Sequence, residues 1–394
     1  MNRPKTRPDE IPLLNNEQIK TPALVWDMDV LDERLASFVK FSGDHGCSLL
    51  YSVKASGVGA VMQRIKPQVS GFACSSPFEA RLARHVLGTE GSVHITSPAL
   101  HLDQSVDLDG HCDHVTFNSL TQWRRLGDTF GADMQTGLRI NPELSIVSDP
   151  RFDPCRKDSK LGVPLSQLIK FYEDDPGAFK AIKGLHVHSA CGNRSFRGLK
   201  DTVQRVISAL PGLLEHIQWF NLGGGYFFDK IRKTVDFTQS VSLLRQDFGL
   251  QVFIEPGTAM VRDAASMVST VVDVIDLGAK KIAVLDTTVN HMPEVFAYQF
   301  RPPVKGARRG GKFTYILAGA TCLAGDTFGT YAFNQPLEVG QRVIIEKMGA
   351  YTHGQSHWFN GVNLPAIYTC SAADGLTLEA AFSYDDFARR CGLR

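Results

Sequence analysis

The sequence predicts an α/β protein in which a (β/α)8 barrel, similar to a TIM barrel, is joined to an all-β domain. Up to about residue 257, short apolar runs alternate with helix-like stretches, which is typical of parallel βα units. Eight such units in about 210 residues match the size of a barrel. Beyond residue 265 the helical periodicity fades, while strand-like runs continue. We therefore expect the barrel over residues 28–265, and a β-sandwich or β-barrel domain formed by residues 1–27 together with 266–394.

The eight predicted barrel strands are short runs rich in β-branched and other apolar residues, at 48–55, 69–75, 92–97, 114–118, 136–141, 182–188, 219–225 and 251–255. Helical stretches separate most of them. One of these covers residues 77–86, with Ser76 as N-cap and Pro77 at the first helical position. Two more, 199–217 and 238–248, carry apolar residues at three- and four-residue spacing.

A doubly wound open sheet would produce the same alternation of strands and helices. Such a sheet usually carries a glycine-rich turn after its first strand, whereas the first run here ends at Lys54. The barrel is therefore the preferred interpretation.

The all-β domain is predicted from runs at 267–274, 281–285, 313–318, 342–347 and 364–370, which turn residues such as Gly310, Gly311 and Gly340 separate. Residues 21–26 also have a strand pattern, ahead of a predicted helix at 30–41. Whether this first strand pairs with the C-terminal domain is left open by the sequence.

Composition excludes several classes of function. The 394 residues include 42 Lys and Arg against 41 Asp and Glu, so no excess of charge indicates a nucleic-acid or membrane-surface partner. No apolar run approaches the ~18 residues of a membrane span, and the first 20 residues lack the apolar core of a signal peptide. None of the eight cysteines forms CxxC. We expect reduced thiols in a cytoplasmic protein, and no metal site.

Polar residues and glycines stand at the ends of five predicted barrel strands: Lys54, Arg139, His188, the glycine run 223–225 and Glu255. Each of them alone has an ordinary structural explanation, such as a solvated lysine or a hydrogen-bonded histidine. Barrel active sites, however, lie at the carboxyl ends of the strands and draw residues from several of them. Their combination on one face therefore predicts an active site.

The residue types at this face suit one cofactor. A lysine in an apolar strand is costly to bury unless it is neutral or covalently used, and a desolvated lysine is the nucleophile that forms Schiff bases. Gly223, Gly224 and Gly225 offer close backbone approach and free N–H groups to a phosphate. Glu255 adds a carboxylate. Lysine, phosphate turn and carboxylate are the parts that a pyridoxal phosphate site needs.

The chain resembles the pyridoxal-phosphate-dependent decarboxylases of the alanine racemase fold (fold type III), and within them the carboxynorspermidine/carboxyspermidine decarboxylase branch. The resemblance runs from about residue 21 to residue 368 and is carried by an ordered set of motifs: TPALVWD (21–27), YSVKA (51–55), LRINPE (138–143), GLHVH (184–188), NLGGG (221–225), EPG (255–257), HMPEV (291–295), TCLAGD (321–326), GAYT (349–352) and FNG (359–361). The ordered set is specific for the fold and cofactor, and HMPEV and CLAGD indicate the branch.

The resemblance implies a role for each matching residue. Lys54 would bind pyridoxal 5′-phosphate covalently, His188 would stack on its ring, and Glu255 would pair with its ring nitrogen. The remaining cofactor residues would be Arg139, Gly223, Gly224, Gly225 and Tyr351.

Cys322 would come from the partner subunit of a homodimer with shared sites and would return a proton to the substrate carbon. The substrate-binding residues would be Asp286, His291, Glu294 and Asp326.

The implied activity is a carboxy-lyase reaction of polyamine biosynthesis, in which the α-carboxylate of carboxynorspermidine, carboxyspermidine or a related basic amino acid is removed. Glu255 favours decarboxylation over racemisation, because a carboxylate keeps the ring nitrogen protonated and the ring a strong electron sink. Leu323 stands where several sister decarboxylases carry an acidic residue, which argues against diaminopimelate or ornithine.

Three alternatives stay open. They are a decarboxylase acting on a siderophore or another secondary-metabolite intermediate, an amino-acid racemase, and a non-catalytic regulatory homologue. Proteins of the last kind typically lose the lysine or the cysteine, and this chain keeps both Lys54 and Cys322.

Overall fold

The computed structural model describes residue 14 and residues 16–278 and 280–393. The chain divides into two compact units. The first is Leu35–Met260, and the second joins the described residues up to Arg34 with the chain from Val261 onward. Strand β1 (Ala23–Asp27) leads into a helix, Met28–His45, that contains the boundary at residue 34. Residues 1–13 of the predicted β-domain segment 1–27 lie outside the described residues.

The first unit contains a closed barrel of eight parallel strands, as predicted. Its strands are β2 (Ser48–Ser52), β3 (Gly71–Cys74), β4 (Ser92–Ser97), β5 (His114–Phe117), β6 (Gln135–Asn141), β8 (Gly184–Val187), β9 (Trp219–Asn221) and β10 (Gln251–Ile254); a two-residue strand, β7 (Val163–Pro164), pairs with β6 outside the ring. Pairing of β10 with β2 and of β5 with β6 closes the ring. Each strand overlaps one of the predicted runs.

The helices of the first unit follow the strands along the chain: Gly59–Ile65, Pro77–Leu87, Leu102–Asp109, Leu120–Leu126, Leu165–Asp174, Arg197–Ala209, Pro211–Leu214 and Val235–Ser242. Ser76 caps the second of them, accepting a hydrogen bond from the Glu79 N–H at 3.2 Å. The predicted helix 199–217 is two helices, because Pro211 has no N–H to continue the first. The predicted helix 238–248 starts earlier and ends in a wider π turn, Leu243–Asp247.

Side chains alternate between the two faces of each strand, so every second residue of a barrel strand points into the barrel. Leu50, Ala73, Trp219 and Phe253 form a buried cluster inside it. The Trp219 ring needs glycine opposite it, since a Cβ at Gly184 would lie 1.9 Å from the ring. The interior residues further along the same strands are polar, and they point toward the carboxyl ends of the strands.

The second unit is built on a mixed sheet with the order β14-β13-β12-β11-β1-β16-β17, in which β15 also pairs with β11. Its strands after β1 are β11 (Ala265–Asp276), β12 (Lys281–Leu285), β13 (Phe313–Ala318), β14 (Thr327–Phe333), β15 (Arg342–Glu346), β16 (Ala366–Ser371) and β17 (Gly375–Ala380). The short helices Pro293–Ala297, Thr352–Gln355 and Tyr384–Arg390 accompany them, and Thr258–Val261 lies at the boundary of the units.

The sheet shows the pairing partners of β1, which the sequence left open. Strand β1 pairs antiparallel with β11 and parallel with β16. Two strands of this sheet, β14 and β17, were not predicted from the sequence. Gly329 interrupts the apolar pattern of β14, and β17 is a largely exposed edge strand without a buried face.

All eight cysteines lie among the described residues and have free thiols. Among the described helices, none combines the length and the apolar character that crossing a bilayer requires.

Two histidines inside the barrel predict a pH-dependent stability. The rings of His94 and His114 are stacked with centroids 3.8 Å apart. Burial lowers the pKa of His94 well below its ordinary value and that of His114 to about 4. As the pH falls from about 6.5 to 4, the histidine is protonated in the unfolded chain but stays neutral in the folded barrel. As the pH decreases, the free energy of unfolding should therefore fall by up to about 1.4 kcal/mol per pH unit for each histidine.

Urea unfolding followed by circular dichroism at a series of pH values measures this slope. His114→Phe should reduce it, and His216→Gln, at an exposed histidine of the same unit, should leave it unchanged. Equal slopes in the wild type and His114→Phe would show that His114 is already charged in the folded barrel.

Candidate active site

A cavity of about 340 Å³ opens at the carboxyl ends of the barrel strands. Its walls include five residues of the predicted or adjoining site: Lys54, Arg139, His186, His188 and Glu255. They come from three strands, β6, β8 and β10, and from the turn after β2, so the closed ring of strands brings together residues up to about 200 positions apart. Four of the five were expected at this face, and His186 is new.

Lys54 lies in a single turn, Val53–Ala55, that follows β2 directly. The Tyr51 hydroxyl donates to the Ser56 carbonyl at 2.8 Å and ties this turn to the strand. The Lys54 side chain is open to the cavity, yet protein surrounds the cavity floor closely enough that desolvation lowers the pKa of the amine. Arg139 lowers it further, against the opposing effects of Glu255 and Glu79. The neutral amine, which is the nucleophilic form, is thereby favoured.

Glu255 is buried one residue beyond β10, with 9% of its surface exposed. Its Oε1 accepts a hydrogen bond from Asn221 Nδ2 at 2.7 Å. Burial raises the pKa of the carboxyl, while Lys54, Asn221 and Arg139 act in the opposite direction. The carboxylate is thus held in a fixed orientation at the floor of the cavity.

Asn221 also organises the glycine turn after β9. Its Oδ1 accepts the Gly223 N–H at 2.8 Å. Gly223 and Gly225 have φ values of +64° and +87°, and a Cβ on Gly224 would lie 2.2 Å from the Glu255 carbonyl oxygen. Only glycine fits these positions, and the turn leaves a cradle without side chains. Asn221 itself was not predicted as a site residue, although it stands two positions before the glycine run.

His188 lies between this turn and the lysine. Its Nδ1 accepts the Gly224 N–H at 3.2 Å, which leaves the ring proton on Nε2. Desolvation lowers the pKa of His188 well below its ordinary value, and Lys54 and Arg139 add to the effect. The ring is therefore neutral, which suits stacking on a flat cofactor.

Adjacent strands place Arg139, His186 and Asn221 side by side, since Arg139 pairs with His186 and His186 with Asn221 in the ladder. The alternating pattern H-x-H in GLHVH is the sequence signal for His186, because residues two apart on a strand face the same side. Ligand atoms of His186, His188 and Glu255 lie within 4.8 Å of one another. A divalent cation there would face the positive charge of Arg139 in the same cavity, so the charge pattern favours an anionic ligand.

The remaining predicted residues belong to the second unit. Asp326, 3% exposed, accepts hydrogen bonds from the Val289 N–H at 2.8 Å and the Thr321 N–H at 3.0 Å. The exposed Cys322 is fixed through its N–H, which donates to Asn360 Oδ1 at 2.9 Å. His291 is fully buried, and Thr287 Oγ1 lies 3.0 Å from its Nδ1. These contacts bring Cys322 and Asp326 into one ordered loop.

Asp286 is engaged inside the sheet, where its carboxylate accepts from Ser269 Oγ at 2.6 Å, Thr270 N–H at 2.9 Å and Thr21 Oγ1 at 2.6 Å. Its substrate-binding role stays a prediction. Burial raises the pKa of Glu294 to about 6. Tyr351 has a φ of +63°, an unusual conformation for a bulky residue. The roles of Glu294 and Tyr351 also stay predictions.

The cavity suits pyridoxal phosphate on four counts. It offers a lysine of lowered pKa, a neutral histidine ring and a buried carboxylate, and the glycine turn lies next to it, where Gly224 contacts His188 and Glu255. The positive charge of Arg139 in the cavity wall matches the negative charge of a phosphate.

Comparison with known proteins agrees with this chemistry. The model of the family described as "Pyridoxal-dependent decarboxylase, C-terminal sheet domain" matches residues 28–349. A carboxynorspermidine/carboxyspermidine decarboxylase from Herminiimonas arsenicoxydans is 32% identical over 375 residues, covering 94% of this chain and 98% of the relative. A carboxyaminopropylagmatine decarboxylase from Synechocystis sp. is also 32% identical, over 95% of this chain and 96% of its own length.

Among solved structures, carboxynorspermidine decarboxylase from Campylobacter jejuni, in complex with norspermidine, superposes with a TM-score of 0.85. It is 27% identical and covers 94% of this chain and 100% of its own. Diaminopimelate decarboxylase from Helicobacter pylori, in complex with L-lysine, superposes with a TM-score of 0.82 at 18% identity, which shows a shared fold. The chain therefore belongs to the pyridoxal-dependent decarboxylases, and its cofactor is pyridoxal 5′-phosphate.

Proposed function

We propose that the protein removes the α-carboxylate of a carboxylated polyamine, carboxynorspermidine or carboxyspermidine. The observation that carries the reaction type is the buried Glu255 carboxylate, held by Asn221 on the same cavity floor as Lys54. The names of the relatives from Herminiimonas arsenicoxydans and Campylobacter jejuni support the substrate class. Leu323 supports it as well, because an apolar residue there offers no carboxylate to a diaminopimelate or ornithine terminus.

Pyridoxal phosphate supplies an electron sink that accepts the electron pair left when carbon dioxide departs. Lys54 is proposed to hold the cofactor covalently, and its lowered pKa makes the attacking amine available. The glycine turn 223–225 would receive the phosphate on its N–H groups, and His188 would support the ring face. Arg139 would add positive charge at the cavity wall.

Glu255 is proposed to hold a proton on the ring nitrogen. A carboxylate stabilises that proton by its charge, and low dielectric strengthens the effect in a buried site. The better the ring nitrogen keeps its proton, the better the ring accepts electrons. This favours loss of a carboxylate, whereas a racemase gains from a ring that limits the lifetime of the carbanion.

Cys322 is proposed to return a proton to the carbon that has lost its carboxylate. Its thiol is exposed, while its backbone is held by Asn360 and its loop by Asp326. Lys54 and Cys322 belong to different units of the chain. We propose that the active enzyme is a homodimer in which Cys322 of one subunit serves the cavity of the other.

A substrate panel tests the proposed function. The purified protein should release carbon dioxide from carboxynorspermidine or carboxyspermidine with a kcat/KM at least about tenfold above that for meso-diaminopimelate or ornithine. Carboxyaminopropylagmatine belongs in the panel because a relative carries its name. Lys54→Ala is the control and should release none. Inversion of an amino acid without carbon loss would identify a racemase instead.

The Glu255→Gln variant tests the reaction type. It removes the charge with little change in size, so the loss should appear in kcat, by about tenfold for each pKa unit of lost ring-nitrogen stabilisation. The KM should stay within about twofold. Glu79→Gln is a matched control, since Glu79 also acts electrostatically on Lys54 but does not line the cavity. A wild-type kcat in Glu255→Gln would mean that another group keeps the ring protonated.

Subunit mixing tests the shared site. Lys54→Ala and Cys322→Ala subunits should each be inactive alone. After exchange, half of the dimers are hybrids with one intact site of two, so about a quarter of the wild-type activity should return. Mixing Lys54→Ala with the double variant Lys54→Ala/Cys322→Ala should restore none. Failure of the first mixture in dimers shown to have exchanged would mean that each subunit completes its own site.

A further inference from the structure

His186 is a buried residue to which the proposed chemistry gives no task. Its side chain is 2% exposed, and neither ring nitrogen has a hydrogen-bond partner among the described residues. A buried polar group without a partner costs free energy, and histidine is a poor choice for filling space alone. His186 is among the residues that line the cavity, and both of its ring nitrogens are buried.

The groups around His186 come from every neighbouring element. Arg139 lies beside it on β6 and Asn221 on β9, while His188 follows on its own strand. Glu255 stands at the end of β10, Lys54 in the turn after β2, and His94 on β4 interacts with it electrostatically.

Glu255 offers the acceptor that His186 lacks. Its Oε2 lies 3.8 Å from His186 Nε2. A hydrogen bond needs a separation of about 2.9 Å, so a shift of about 1 Å would form one.

The imidazole is neutral. Burial lowers the pKa of His186 well below its ordinary value, and Arg139, His188 and Lys54 act in the same direction. A neutral imidazole carries one N–H and one acceptor nitrogen. The ring can therefore donate one hydrogen bond without bringing a second positive charge close to a protonated ring nitrogen.

Glu255 needs such a donor. Asn221 Nδ2 donates to Oε1, whereas no hydrogen bond to Oε2 is present among the described residues, and His186 Nε2 lies 3.8 Å from it. Burial raises the pKa of the carboxyl and so opposes the ionised form that would hold a proton on the cofactor. A hydrogen bond to the charged form acts against that shift.

We propose that His186 is a positioning residue for Glu255: in the cofactor-loaded enzyme its Nε2–H donates to Glu255 Oε2, keeping the carboxylate ionised and aimed at the ring nitrogen. This inference rests on the role proposed above for Glu255. In the H-x-H pair, His186 would then position the Glu255 carboxylate, and His188 would support the face of the cofactor ring.

Two substitutions distinguish the two ring nitrogens. The amide nitrogen of His186→Gln reaches the position of Nε2, whereas that of His186→Asn reaches only the position of Nδ1. His186→Gln should therefore keep the affinity for pyridoxal phosphate within about threefold of the wild type. His186→Asn should raise the Kd of the apoenzyme for the cofactor by about tenfold and lower kcat by a similar factor, with KM within about twofold. His186→Phe keeps the ring volume and should behave like His186→Asn, which serves if the latter does not fold.

The direct readout is the 15N chemical shift of the ring nitrogen in bound 15N-labelled pyridoxal phosphate. In His186→Asn it should move toward the deprotonated value that Glu255→Gln is expected to give, and in His186→Gln it should not. His94→Asn is the control, since His94 is equally buried in the barrel but bonds Ser92. It should change thermal stability and leave the shift alone.

An unchanged shift and Kd in His186→Asn would overturn the inference, and so would an equal change in His94→Asn. If Glu255→Gln also left the shift unchanged, the proposed role of Glu255 would be wrong, and so would the role of His186 that rests on it. If the wild type released no carbon dioxide from any polyamine substrate, the proposed function would fail, while the shift and the Kd would still test His186.

Discussion

The side chain of Asn221 links the Glu255 carboxylate of the cavity wall to the glycine turn after β9. It donates to the Glu255 carboxylate at 2.7 Å and accepts from the first N–H of the glycine turn at 2.8 Å. The turn continues to His188 through Gly224 N–H. One amide thus fixes the residue proposed to hold the ring proton, the turn proposed to bind phosphate and, through that turn, the histidine proposed to stack on the ring. Because Asn221 is 3% exposed, water cannot replace these bonds easily, and the geometry of the whole floor depends on it.

Three ionisable residues of the cavity wall are proposed to serve the cofactor: Glu255, Lys54 and Arg139. Desolvation lowers the pKa of Lys54 and of Arg139 and raises that of Glu255, so burial pushes each of the three toward its neutral form. His186 and His188 are neutral for the same reason. A phosphate brought into this cavity supplies a negative counter-charge for Lys54 and Arg139. Cofactor binding and the ionisation of the site are therefore coupled, as linkage requires.

The second unit contributes a loop whose backbone is fixed while its thiol is free. Asp326 gathers Val289 and Thr321 around a buried carboxylate, and Asn360 holds the N–H of Cys322. Asn360 itself has a left-handed backbone with a φ of +55°, a conformation that asparagine tolerates. A proton donor must be placed accurately and remain accessible to its acceptor, and this loop satisfies both requirements. The proposed dimer with shared sites would explain why Cys322, the proposed proton donor, and Lys54 belong to different units.

The sequence by itself determined the barrel, since each of its eight strands is a short run rich in apolar residues between turn signals, and it located Lys54, His188, the glycine run and Glu255 at strand ends and Arg139 near one. Those features are local, and strand periodicity is enough to show them. It missed β17, because an exposed edge strand has no buried face, and left the pairing of β1 open, because its partners lie more than 200 residues away. Only the tertiary structure showed that Asn221 bonds Glu255 and that His186 faces it, since closing the barrel decides which side chains from separate strands meet.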